Sequence, residues 1–229
     1  MTGKIAPTIV QVNIRPEART TAPSSNGSKN TGSIRHTDSS ISTISDACPS
    51  SATRIFTILM VSNGTPMFCA GDEFMNTQRG NNNPWNQDNE TTWLDWNLLE
   101  KNSDMFRFFR GMIAFRKAHP SLARSRFWRE DVNWYGVNGQ VDLGDLSHSL
   151  AFCLHGVSQQ DQDIYVMINA YWQDLNFEIQ EGKAGDWNCV ADTGMSSPFD
   201  FSEVGQEKSV TSLSYAVKAR SVVVLLHAD

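Results

Sequence analysis

The chain has 229 residues, 40% of them hydrophobic, a net charge of −6 and an isoelectric point near 5.3. That is enough apolar material for a core of one large or two small domains. The acidic balance excludes a basic nucleic-acid face and disfavours an anionic membrane surface. The longest apolar run, Ile55 to Val61, falls well short of the roughly 18–20 residues that span a bilayer. The N-terminus has no basic region followed by a long apolar stretch, so no secretory leader is expected. The four cysteines, Cys48, Cys69, Cys153 and Cys189, form no CxxC pair. Neither a zinc site nor a disulfide framework is indicated, and a reducing, cytoplasmic setting is expected.

Composition changes near residue 54. All 23 aromatic residues lie from Phe56 onward, and Ser and Thr fill about a third of the first 53 positions. Lys4, Arg15, Arg19, Lys29 and Arg35 against Glu17, Asp38 and Asp46 give that segment +2, leaving −8 for the rest. A stretch with so few large apolar groups cannot offset its chain entropy, so residues 1–53 are read as disordered. Arg54 to Ser62 reads as the end of a helix, stopped by Asn63-Gly64. Pro66 to Ala70 is a short apolar run between glycines and reads as a buried strand. Gly71 to Asn89 is rich in Asn, Gly and Gln and reads as a long loop, a feature rare in a compact domain unless it has a task. Ser103 to Ala118 is an amphipathic helix with Ser103 as N-cap, a stripe of Met105, Phe108, Phe109, Met112, Ile113 and Phe115, and Pro120 as terminator. Beyond it the pattern turns to short period-two runs. Strands are predicted at Arg126–Trp128, Val132–Tyr135, Leu150–His155, Ile164–Asn169, Leu175–Ile179, Trp187–Asp192 and Ala219–Leu226, which together suggest an antiparallel sandwich.

Chemistry-bearing residues concentrate between Gly64 and Trp96. Carboxylates and amides bond sugar hydroxyls in pairs, and indole faces stack on the apolar face of a pyranose ring. Asp72, Glu73, Asn82, Asn83, Trp85, Asp88 and Trp93 are therefore the substrate-binding candidates. The same residues also suit a self-capping loop, since Asn and Asp bond their own backbone. Adjacent carboxylates on a strand point to opposite faces, so Asp72 and Glu73 are badly placed to flank one glycosidic bond. Asp72, Asp88 and Glu90 lack a metal-ligand spacing. No metal and no cofactor is expected. His119 is read as capping helix carbonyls, and His148 and His155 are isolated, so a nucleophile triad is not indicated.

The ordered motifs GTPM, AGDEF, GNNN, QDN and WLDW within residues 64–96 closely resemble the end of the catalytic barrel in bacterial glycogen debranching enzymes and isoamylases, glycoside hydrolases of the alpha-amylase superfamily. The resemblance continues through AFRKAHPSL, DVNWYG, VMINAYW and ARSVVVLL. It implies a mixed fold: the last βα piece of a (β/α)8 barrel over 54–121, with Pro66–Ala70 as its eighth strand, then an all-β antiparallel sandwich over 122–229. It also implies a debranching lineage acting on branched α-glucan such as glycogen or limit dextrin, by a retaining mechanism. The family's nucleophile Asp, acid/base Glu and stabilising Asp belong to barrel strands four, five and seven, upstream of everything matched. No catalytic residue is therefore assigned, and the chain by itself is expected to be inactive. Met75 and Asn76 stand where the family usually has Gly and Arg, and Pro84, Trp85 and Asn86 replace a small–aromatic–Cys stretch. Two other readings are a non-catalytic α-glucan-binding module and a truncated gene product. The first would need exposed, co-planar indoles among Trp85, Trp93, Trp134 and Trp172.

Overall fold

The structure is a computed structural model that describes residues 49–81 and 83–228. The segment expected to be disordered falls mostly outside the described residues. Its last part, Pro49 to Thr53, is helical instead. Helix α1 spans Pro49–Val61 and α3 spans Ser103–Ala118, with short α2 at Asn97–Lys101 and α4 at Pro120–Ala123. The strands are β1 Val132–Tyr135, β2 Ser149–Leu154, β3 Ile164–Asn169, β4 Leu175–Glu178, β5 Trp187–Asp192, β6 Lys208–Val210, β7 Ser214–Val217 and β8 Ser221–His227.

Six of these strands form one antiparallel sheet in the order β1-β2-β3-β8-β5-β6, and β4 pairs with β7 as a separate ribbon. Strand alternation sorts the sheet's side chains into two cores. Phe152, Leu154, Val166, Val222 and Val224 face the helices and join Phe56, Met60, Phe108, Phe109 and Met112. Their neighbours Ala151, Cys153, Tyr165, Met167, Val223 and Leu225 face the ribbon and join Phe177, Trp187 and Val217. Burial on both faces explains why Ser221–His227 reads as a nearly unbroken apolar run rather than an alternating one. The fold is thus mostly antiparallel β with few helices, in three layers: helices, main sheet, ribbon. The second sheet of the expected sandwich is only two strands wide, because α1 and α3 take the opposite face.

The helical layer is aromatic. Phe56 and Phe109 stack with centroids 3.6 Å apart, and Phe68 meets both edge-on. Arg116, in the last turn of α3, is buried and turns to the end of α1. Its guanidinium donates to the carbonyls of Met60, Ser62, Gly64 and Leu122. These include carbonyls at the C-terminal end of α1 that no helical N–H can reach. Burial pushes its pKa down from the usual arginine value.

Several local expectations fail for physical reasons. Pro66–Ala70 forms no strand, since none of the described strands lies beside it to supply a ladder. Arg126–Trp128 is also irregular: Phe127 is exposed, Trp128 is buried, and the chain turns at once through a 3-10 segment, Arg129–Asp131. The N-cap of α3 is Asn102 rather than Ser103. The His119 ring bonds Asp161 Oδ1 at 2.8 Å instead of capping carbonyls.

Candidate functional site

The segment from Gly64 to Asn102 leaves α1 and returns as α3. Its turn is set by Gly71, whose φ of +99° is left-handed and whose Cβ, if present, would lie 2.7 Å from Asn76 Cβ. Only glycine fits both demands. A 3-10 turn follows over Asp72–Phe74. The loop is stitched by side chains to backbone. Asp72 Oδ2 accepts from Cys69 N and Glu73 Oε2 from Gly71 N, both at 2.9 Å. Asn76 Oδ1 accepts from Asp95 N, and Asn102 Nδ2 donates to Phe74 O, again at 2.9 Å. Phe74 is buried under Trp96, with centroids 5.4 Å apart.

The candidates therefore separate. Asp72 is buried and serves the turn. Glu73 bends back onto the same turn. These two carboxylates sit on a 3-10 segment at the start of the loop, and both hold backbone N–H groups. Asn83, Trp85, Asp88 and Trp93 are exposed, while Asn82 lies outside the described residues. The backbone of Asn83 is held by Asn81 Oδ1 at 3.0 Å. Asp88 Oδ1 accepts from Trp93 Nε1 at 3.0 Å, which fixes that indole's edge and leaves its face free. Arg79 and Glu90 form an exposed pair at 3.1 Å across the loop.

Exposure marks the indoles. Trp85, Trp93 and Trp96 are 77%, 57% and 64% exposed. Trp96 was not among the candidates; its position three residues after Trp93 in WLDW was the available signal. Of the other tryptophans weighed, Trp134 packs on Phe152 in the helix-side core. Trp172 is exposed beside Tyr171, on which His148 stacks at 6.0 Å. Each of Trp85, Trp93 and Trp96 thus keeps more than half of its surface in water.

The described residues thus join a mostly antiparallel β region to a loop that carries exposed indoles. Residues 131–226 match the family described as isoamylase, C-terminal. The chain is 34% identical over 165 residues to the chloroplastic isoamylase SU1 of Zea mays, covering 70% of this chain and 21% of that protein. It is 34% identical over 137 residues to the glycogen debranching enzyme of Dickeya chrysanthemi, covering 56% of this chain and 20% of that protein. The type I pullulanase of Bacillus subtilis, solved with maltose, shares the fold with a TM-score of 0.63 at 22% identity, over 79% of this chain and 24% of that chain. The chain is thus similar to isoamylases and glycogen debranching enzymes, and it spans about a fifth of the length of these curated relatives. No helix of the described residues is long and apolar enough to cross a membrane.

Proposed function

We propose that this chain is a glucan-holding part of the α-1,6-debranching machinery, acting in the cytoplasm on glycogen or limit dextrin. Residues 54–121 are the last βα piece of the (β/α)8 barrel, and 122–229 form the C-terminal β-domain that buttresses it. The extended Pro66–Cys69 stretch, which enters the Gly71 turn, takes the place of the final barrel strand. That would put the following loop at the carboxyl end of the barrel, where such barrels bind their substrates. The observation that carries this reading is the set of three exposed indoles, Trp85, Trp93 and Trp96, on a loop whose carboxylates Asp72 and Glu73 are spent on its own backbone. With those two carboxylates so engaged, the loop is read as holding a glucan chain rather than flanking a glycosidic bond with that pair.

Native electrophoresis through a gel containing glycogen, followed by iodine staining, tests this. Retardation of the band without a change in the stain is expected. A zone of altered stain around the band would mean hydrolysis and would contradict the assignment of binding alone. Unretarded migration would remove the glucan-holding role.

A further inference from the structure

The lower end of the main sheet carries polar groups that the glucan reading does not use. Strand register collects them. His155 follows β2 and Asp163 precedes β3, so they face each other one step beyond the Leu154–Ile164 pair. Cys153 lies two residues before His155, and the period of two places its side chain on the same, ribbon-facing side. The Cys153 thiol, a ring nitrogen of His155 and a carboxylate oxygen of Asp163 all lie within 4.8 Å of one another. His155 Nδ1 is 3.0 Å from Asp163 Oδ2, and its Nε2 is 3.6 Å from Glu181 Oε1. Asn133 Nδ2 reaches both His155 Nε2 and Glu181 Oε1 at 3.0 Å. Tyr135 also donates to Glu181.

We propose that Cys153, His155 and Asp163 bind a divalent transition metal of the Zn²⁺ class. Three features favour this over a purely hydrogen-bonded cluster. First, a thiol, an imidazole and a carboxylate form a mixed donor set that suits Zn²⁺ and not Mg²⁺ or Ca²⁺. Second, two carboxylates and a thiol converge while, among the described residues, no lysine or arginine pairs with Asp163 or Glu181. Third, Cys153 is fully buried but His155 and Asp163 are each 29% exposed in their side chains, which gives an entry path and an open fourth position.

The Nδ1-to-Asp163 separation is already close to that of two ligands on one tetrahedral ion, and the thiol lies within 4.8 Å of both groups. Burial, together with the charges of Asp163 and Glu181, pushes the Cys153 thiol up from its ordinary value, and a dication reverses that balance. On binding, the S–H bond of Cys153 breaks, its proton leaves to buffer and the thiolate lone pair enters the metal. With the metal on Nδ1 the imidazole proton sits on Nε2, so the Asn133 amide, whose Nδ2 lies 3.0 Å from Nε2, would have to turn its Oδ1 to the ring to accept it.

The test uses the full chain, stripped with EDTA and titrated with Zn²⁺ or Co²⁺. The expected results are a rise in melting temperature of several degrees with Zn²⁺ but not with Mg²⁺, and one equivalent of Co²⁺ producing a thiolate-to-cobalt charge-transfer band. Cys153→Ser should remove that band, while Cys189→Ser should keep it. His155→Gln should weaken Co²⁺ at least tenfold, compared at equal fold content by circular dichroism. Absence of both the band and the thermal shift in the wild-type chain would overturn the proposal. So would a band that survives in folded Cys153→Ser.

Discussion

The region from Val132 to His227 and the loop from Gly64 to Asn102 are held together by different means. In the first, backbone pairs with backbone along a six-stranded ladder, and alternate side chains fill a core on each face. In the second, the described residues form no strand, and side chains satisfy the backbone at Cys69, Gly71, Phe74 and Asp95. A ladder tolerates surface change because its hydrogen bonds belong to every sequence. A loop built on caps depends on the identity of each capping residue, and in exchange it can present large indoles to water. Stability and ligand contact are therefore assigned to different parts of one chain.

Three substitutions would sharpen that contrast. Trp187→Ala removes a side chain that is 1% exposed, bridges β5 to the ribbon and donates to Glu181 O at 2.8 Å. It should cost about 3–5 kcal/mol, read as a lowered denaturant midpoint of the whole chain. Asp72→Ala frees Cys69 N and should cost about 1–2 kcal/mol. Its signature should be local, with faster proteolytic cutting between residues 73 and 95 while the sheet's circular dichroism is unchanged. A small global shift with no local effect would show that the loop and sheet are not separate in the way described.

The third substitution concerns acid. Burial works to raise the pKa of Asp161, but hydrogen bonds from the Ser121 backbone and the His119 ring outweigh it and hold the carboxyl below its ordinary value. A depressed folded pKa means that this stabilisation is fully present above the unfolded value of about 4 and is lost as pH falls through the folded one. Asp161→Asn should lower stability at neutral pH and flatten the loss of stability below about pH 4, as measured by urea unfolding at several pH values.

Much of the β region is legible in the sequence. The bounds of Ile164–Asn169, Trp187–Asp192 and helix Ser103–Ala118 can be read directly, because long apolar patterns bounded by turn residues leave little freedom. Strands β6 and β7 escape notice because Lys208–Val210 and Ser214–Val217 are short and mostly polar, and their pairing comes from partners distant in sequence. Pro66–Ala70 has the composition of a strand but no neighbour among the described strands. The indole-rich loop is visible as composition, yet only burial separates Asp72 from Asp88. The Cys153–His155–Asp163 group is invisible as a motif because its third member arrives through cross-strand register.

The most direct test of glucan holding by the loop is glycogen-gel electrophoresis of the wild-type chain beside the triple variant Trp85→Ala, Trp93→Ala, Trp96→Ala, with both melting temperatures measured. Retardation should be lost in the variant while its melting temperature stays within a few degrees of wild type. Equal retardation of the two proteins would contradict the assignment of glucan binding to this loop.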